Sequence, residues 1–423
     1  MASTRVLASS KFNLLKRGTT SISTGTADAN YPVTNLYDGE PSTPLLVTAA
    51  GNVTLDVDGD LLKQVGDMEG TFSVGVAAGF TDRSTGDGTP AQEGTLVHAG
   101  AKAQKLSTAA AGVARVSIDL DVLAGEVLSL SAWLRGDGTA TISAQLQDLA
   151  TNKFWNGSIW SSSSAVTWAG RSTASYAEST STVTVDTADN IRAATTTLRL
   201  SFYVSSAVAA GAGYVDDVAV WPSVDCVSLH GHNIPVGAQV DLLSSTSSGW
   251  GSPTTEADDI PVYQPAFYSL LAAAVAKRYW RVRITDSIAR EPIYIGELVI
   301  GAAVTLTASP NYPLPVAEAY RHQRAQTALG RRYVLQRVTQ PARVATLDYE
   351  GLSAAQGREL RRLVYLASVG DLYPCVVIPQ DDDAERVYHG RLATDEHEEQ
   401  TEFLTYRRVR LVVSEQPFPV LSL

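Results

Sequence analysis

From Met1 to about Pro310 the chain is written almost wholly in short runs that alternate apolar and polar residues, and helical periodicity is scarce. Val53–Val57, Val113–Leu120, Val127–Leu134, Thr182–Val185, Thr196–Val204 and Tyr279–Ile284 are examples. A period of two turns one face of each run inward and the other to solvent. Gly, Ser, Asp and Asn clusters at intervals of roughly 8 to 15 residues reverse the chain between runs, so the expectation is antiparallel β-sandwiches. With 423 residues the chain has room for several cores, since domains commonly take about 100 to 200 residues. Charged residues are 18%, below the ~25% of ordinary globular domains, which excludes charge-driven disorder.

The net charge of -11 argues against broad binding to nucleic acid or to an anionic membrane. Cys226 and Cys375 stand far apart in text that reads as different domains, so neither a disulfide framework nor a CxxC metal site is expected. The opening MASTRVLASSKFNLLKRG lacks the apolar core of a signal peptide, and no run approaches the ~20 apolar residues of a membrane span. Synthesis in the cytosol without membrane insertion is the expectation.

Composition shifts near Gly66 and again near Ser223, and the stretch between holds Trp133, Trp155, Trp160, Trp168 and Trp221. A third shift falls at Thr307–Pro315, whose three prolines read as a semi-rigid linker. Beyond it the chain uses arginine without lysine. There Tyr333–Val338, Arg343–Tyr349, Cys375–Ile378, Tyr388–Ala393 and Arg407–Val413 read as strands. Ser353–Ala367 has Leu360, Leu363, Val364 and Ala367 at helical spacing behind a Ser353 N-cap. This tail reads as α+β.

Three ordered landmarks, Asp67-Met-Glu69-Gly, Leu123 to Arg135 around Trp133, and Ala212-Gly-Tyr-Val-Asp216-Asp217-Val, resemble the jelly-roll carbohydrate-binding modules attached to glycoside hydrolases. Tyr31-Pro-Val-Thr-Asn-Leu-Tyr-Asp38-Gly39 and Asn52–Asp58, resumed by Tyr279–Thr285 and Pro292–Leu298, resemble a discoidin-like galactose-binding domain. That second resemblance is interrupted from Asp60 to about Asp225, as an insertion at a loop tip would do. Gly330–Gln336, Leu347–Ser353, Tyr388–Leu392 and the ending Tyr406–Phe418 resemble the assembly domain of distal and minor tail proteins of tailed bacteriophages.

The expected fold class is therefore mainly β: two β-sandwich (jelly-roll) domains, one inserted in the other, followed by a C-terminal α+β tail-assembly domain. The expected boundaries are 1–64 with 224–306 for the split discoidin-like sandwich, 65–223 for the inserted module, 307–315 for the linker and 316–423 for the tail domain.

First and last strands of a jelly roll lie side by side, which would bring Glu69 to Asp216 or Asp217. Calcium, with its six to eight oxygen ligands, would relieve their repulsion, and the resemblance implies the same structural ion. The alternative is that one aspartate faces solvent and the other bonds backbone amides. Trp155, Trp160 and Trp168 sit in loop-like text rich in Asn, Ser and Thr and are candidate sugar-stacking residues, with packing over a sheet edge as the alternative. Trp133 and Trp221 occupy apolar strands and read as core; Trp250 is a lesser loop candidate. His230-Gly-His232 could share a strand face but lacks a third metal ligand, so a structural role is expected. Asp381–Asp383 with Glu385, and Asp395–Glu399, read as solvated turns facing the arginines of the same domain, which suggests pairing between subunits. No GxSxG, HExxH, phosphate loop or Cys/His arrangement is present, so no enzyme is expected.

The resemblances imply a virion protein of a phage tail tip or baseplate, made in the host cytoplasm. It would assemble with copies of itself and with other tail proteins, and display its sandwiches to host cell-surface glycans, with no nucleic-acid partner. A secreted lectin or carbohydrate-binding accessory protein is the alternative, and a glycoside hydrolase the third.

Overall fold

The computed structural model describes residues 4–7, 13–38, 43–48, 51–63, 65–109, 112–123, 125–185, 195–206, 210–286, 292–306, 310–311, 316–319, 322–326, 332–336, 342–353, 356, 374–380, 386–395 and 407–415. The chain forms two compact units, Gly59–Ser223 and Met1–Asp58 together with Val224–Leu423.

Within Gly59–Ser223 the alternating runs become two antiparallel sheets around one core. The first carries Ala177–Thr184, Val127–Gly136, Gly211–Pro222, Ala103–Thr108 and Thr89–Glu93 in that order. The second carries Trp160–Ser161, Lys153–Trp155, Ile142–Asp148, Thr195–Ser206, Gly112–Leu123 and Thr81–Asp82, with Ala169–Arg171 and Thr85–Gly86 paired beside them. Leu128, Leu130, Ala132 and Leu134 of the first sheet join Ala114, Val116, Leu198, Leu200, Phe202 and Val204 of the second in one buried cluster. Each large aliphatic side chain so placed contributes about 1.5 to 3 kcal/mol. The ends of the unit are tied: Asp60 Oδ1 accepts the N–H of Val220 and of Leu62, and the Leu61 N–H donates to the Val220 carbonyl. At Gly66 a Cβ would lie 1.8 Å from the Val218 oxygen, so only glycine fits that closure.

In the other unit, Asn52–Asp58 pairs Tyr279–Thr285 residue by residue, and Leu45–Val47 pairs Ile293–Gly301, so strands from either side of the inserted segment share two sheets. One is Thr19–Thr24, Asn52–Asp58, Tyr279–Thr285, Gln239–Ser245 and Thr254–Ala257; the other is Ala266–Val275, Val224–His232, Ile293–Gly301 and Leu45–Val47. Trp280, Phe267, Leu36, Leu55 and Leu298 are buried in their common core. On the opposite face three guanidinium–carboxylate pairs, Arg278–Asp58, Arg281–Asp56 and Arg283–Asp241, lace adjacent strands.

A seven-stranded sheet completes this unit, in the order Val304–Thr305, Arg5–Leu7, Cys375–Ile378, Tyr388–Asp395, Arg407–Glu415, Ala342–Leu352 and Val316–Ala319. Two of its strands come from outside the tail segment: Arg5–Leu7 covers one side of Cys375–Ile378, whose four residues are all buried, and Val304–Thr305 pairs Arg5–Leu7 in turn. An apolar strand left at a sheet edge invites foreign pairing, and the chain's own beginning removes that edge. His322–Gln326 and Arg332–Gln336 form a separate hairpin. Ser353, expected as an N-cap, accepts the Gln356 N–H on its Oγ, and its own N–H donates to Gln356 Oε1. The helix body, the Pro-rich stretch apart from Pro310 and Asn311, Asp381–Asp383 with Glu385, and 396–399 lie outside the described residues. Cys226 and Cys375 are free and buried.

Candidate functional site

The alternation that buries Leu128, Leu130, Ala132 and Leu134 places Ser129, Ser131, Trp133 and Arg135 on the far side of the five-stranded sheet. Cross-strand pairing extends that face into two rows. Glu178, Trp133 and Asp216 lie abreast in one, and Arg135, Tyr214 and Lys105 in the next, with Tyr176 just beyond the Ala177 strand end. Between Ser131 and Trp133 the register against Gly211–Pro222 shifts by one residue, and Asp217 takes a left-handed backbone, φ 45°. Asp tolerates that conformation, and a bulge re-aims side chains. The outcome is that Asp216 and Asp217 both reach the loop that leads from Glu93 to Ala103.

Asp216 is fully buried and its Oδ2 accepts the His98 N–H at 2.8 Å and the Ala99 N–H at 3.4 Å. Asp217 Oδ2 lies 2.6 Å from His98 Nδ1. Those contacts lay the His98 imidazole on Trp133, with ring centroids 3.6 Å apart and planes 13° from parallel. Tyr176 stands 5.8 Å from His98 and donates its hydroxyl to the Leu96 carbonyl. Glu93 Oε1 accepts three N–H groups at the loop's start, from Gly94, Thr95 and Leu96. Burial pushes the Asp216 carboxyl up to about 6, with Asp217 adding to the rise. Burial likewise raises the Tyr176 hydroxyl, whereas the Thr95 amide and its neighbours hold Glu93 below the ordinary carboxylate value.

Glu69 closes the same loop from its other end. Its Oε1 accepts the Ala101 N–H at 2.7 Å and the Lys102 N–H at 2.9 Å, bonds that keep its carboxyl below the ordinary value. Lys102 Nζ in turn donates to the carbonyls of Glu69 and Gly70. The three expected calcium ligands thus meet one loop, where amide N–H groups donate to Glu69 Oε1 and Asp216 Oδ2 and His98 lies against Asp217 Oδ2, while the Lys102 ammonium donates to main-chain carbonyls. Lys102 thereby places a positive charge at the acidic turn where a calcium ion was expected. Among the described residues no group of three His, Cys, Asp or Glu side chains could hold a metal. His230 and His232 have structural partners: His230 Nε2 meets Ser228 Oγ at 3.1 Å, and His232 Nε2 meets the Tyr263 carbonyl at 3.1 Å.

Trp155 and Trp160 take the edge-packing alternative. Trp155 is only 6% exposed and its indole N–H donates to Ser181 Oγ; Trp160 donates to the Thr184 carbonyl, 5.6 Å from Trp155 between centroids. Both indoles reach from the second sheet to the edge strand of the first, and so close the open side of the sandwich. Trp168 is half-buried against the same core. Trp133, read as core, instead occupies the outer face. Its neighbours His98, Tyr176, Tyr214 and Arg135 were not singled out from sequence. The signal was there for Trp133 and Arg135, since four core leucine and alanine positions at 128, 130, 132 and 134 leave 133 and 135 pointing away. For His98 no local signal exists, because two aspartates over a hundred residues later place it. Trp250, the lesser candidate, lies in the other unit with the Arg281 guanidinium 4.1 Å from its ring centroid.

No protein family model matches this sequence, and no curated protein does. Among solved structures the chain is similar to the enzymatically active domain of tailspike protein 4 of bacteriophage CBA120, at 14% identity over 38% of this chain and 21% of that one, TM-score 0.28. It is also similar to TmCBM61 in complex with beta-1,4-galactotriose, at 14% identity over 38% of this chain and 98% of that one, TM-score 0.27. A third is the CBM22-1 xylan-binding domain from Paenibacillus barcinonensis Xyn10C, at 14% identity over 37% and 90%, TM-score 0.25. Scores at this level carry no argument about function, and the β-sandwich architecture rests on the sheets themselves.

Proposed function

We propose that the outer face of the five-stranded sheet in Gly59–Ser223 binds glycan, and that the chain carries this module on a bacteriophage tail tip or baseplate for attachment to the host. The observation that supports binding is the stack of His98 on Trp133, held by Asp217 and flanked by Tyr176. Sugar rings have apolar C–H faces ringed by hydroxyls, and an aromatic surface set between Glu178 and Asp217 offers both kinds of contact. Binding without catalysis is part of the proposal. The tail assignment is supported by the resemblance of the C-terminal segment to tail assembly domains.

Affinity electrophoresis of the full chain against a panel of plant and bacterial polysaccharides tests the binding. Trp133→Ala should weaken retention by about tenfold or more, the scale of one aromatic anchor. Trp160→Ala is the counter-test: loss of binding there, with Trp133→Ala unaffected, would move the site to the sandwich edge. Negative-stain imaging of parent particles with antibody against the chain should label the tail tip, and recovery only as a free monomer would favour the secreted lectin.

A further inference from the structure

The row next to Trp133 alternates ring and cation across four strands or strand ends: Tyr176, Arg135, Tyr214, Lys105. The Arg135 guanidinium carbon lies 5.9 Å from the ring centroids of both Tyr176 and Tyr214, and Lys105 Nζ lies 5.9 Å from that of Tyr214. In a chain with 44 acidic against 33 basic residues, guanidiniums readily find carboxylates. Arg199, Arg278 and Arg281 each grip one through two nitrogens. Arg135 does not: among the described residues it has no ion pair, and its Nε is buried without a protein acceptor. Acidic groups of this face and of the loop over it are engaged elsewhere, Glu178 with the Ser131 hydroxyl, Asp216 with loop amides and Glu93 with three N–H groups. A guanidinium whose Nε is buried without a protein acceptor is costly unless water or a ligand completes it, and no carboxylate of the chain does so among the described residues.

Resting on the glycan-binding reading above, we infer that the bound glycan is anionic, a polysaccharide whose carboxylate or sulfate groups are read by Arg135 and Lys105. The planar fork of Arg135 matches two oxygens of such a group, while the rings on either side pack the sugar. Arg135 and Lys105 stand two strands apart, roughly 9 to 10 Å, so each meets a different anionic group of one chain. The net negative charge of the protein repels polyanions at large, which makes recognition depend on this row.

The test titrates the full chain by calorimetry with polygalacturonate, with the same polymer fully methyl-esterified, with dextran sulfate, and with neutral dextran and galactan. Polygalacturonate or dextran sulfate should bind about tenfold or more tighter than its uncharged counterpart, the difference expected of one charge-assisted bidentate contact. Which of the two binds assigns carboxylate or sulfate. Arg135→Gln should erase the preference, and Arg135→Lys, which keeps the charge and loses the fork, should retain only part of it; matching melts certify both variants as folded. Equal affinity for charged and uncharged polymers would overturn the anionic selectivity and leave glycan binding standing. A preference that survives Arg135→Gln would overturn the role of this row, and no binding to any polymer would overturn both readings together.

Discussion

Arg343 and Glu415 provide the sharpest test of how the seven-stranded sheet is held. Glu415 is 2% exposed and receives the Arg343 backbone N–H, its Nε at 2.7 Å and its Nη2 at 2.6 Å. The same Nη2 donates to the Val387 carbonyl, and the guanidinium lies 4.8 Å from the Tyr388 centroid, so one side chain ties three neighbouring strands. Arg343→Met removes the fork and leaves a buried carboxylate with one amide. Breaking a buried pair in this way costs about 3 to 5 kcal/mol, whereas replacing both partners by apolar residues is often close to neutral. The expected result is a melting transition lowered by roughly 6 to 15 °C in Arg343→Met at pH 8, and within a few degrees of wild type in the Arg343→Met, Glu415→Leu double variant. Burial already raises the Glu415 carboxyl from its ordinary 4.5 against the opposing pull of Arg343, and in the single variant burial acts without that pull. A carboxyl raised in the folded state destabilises above its folded value and not below its unfolded one, so the deficit should shrink as pH falls from 8 towards 5. Differential scanning calorimetry of the three proteins at both pH values reads all of this. A single variant that melts with wild type at pH 8, or a double variant as damaged as the single, would refute the reasoning.

Two further outcomes follow from the buried polar groups. Chelator should leave the melting temperature unchanged, while Lys102→Met should lower it by loosening the acidic turn; a chelator-sensitive melt would show that calcium does bind with Glu69 and Asp217 and that Lys102 does not substitute for it. His230 and His389 are fully buried with centroids 4.9 Å apart, and burial holds His389 near 3 and His232 near 4, below the ordinary 6.5. Bases lowered by folding stay neutral in the folded chain while the unfolded chain takes up protons, so stability should fall as pH drops below 6.5. The urea-unfolding difference between wild type and His389→Gln should decline by about 1.4 kcal/mol per pH unit between pH 6 and 4, and a flat difference would show that His389 titrates normally.

What could be read from sequence, and what could not, divides along the range of the forces involved. Alternation is a local property, and it identified the strands Val113–Leu120, Val127–Leu134 and Thr196–Val204 because each must bury one face whatever its partner. The Ser353 cap is local too, and its bonds to Gln356 were foreseeable from side-chain reach. Composition left two outcomes open at the loop tryptophans, sugar stacking or packing over a sheet edge. Asn, Ser and Gly around Trp155 and Trp160 mark a turn, but a turn at a sandwich edge hands its indoles to the neighbouring sheet, where Ser181 and the Thr184 carbonyl accept them. Trp133 sits in an apolar run, yet it is the parity of its position that decides its side of the sheet, and parity counted from Leu128 places it outside. The recruitment of Arg5–Leu7 by a strand some 370 residues later has no local signature at all, since it answers the exposed edge of Cys375–Ile378 and depends on the finished sheet.

The same distinction explains why the binding face is assembled where it is. A flat sheet face presents one side chain per strand at ~4.8 Å intervals and cannot by itself lay one ring upon another. The bulge at Asp217 breaks that grid: it turns two consecutive aspartates towards one loop, and Glu69 grips the far end of the loop, so that His98 is pressed onto Trp133 from above. Removing the bulge residue would restore an unbroken register, leave Asp216 as the one carboxylate at that point and release the His98 ring from Asp217. The loop, and with it the aromatic surface, therefore depends on a single left-handed residue in the last strand, which is why the Asp216-Asp217 pair carries structural weight.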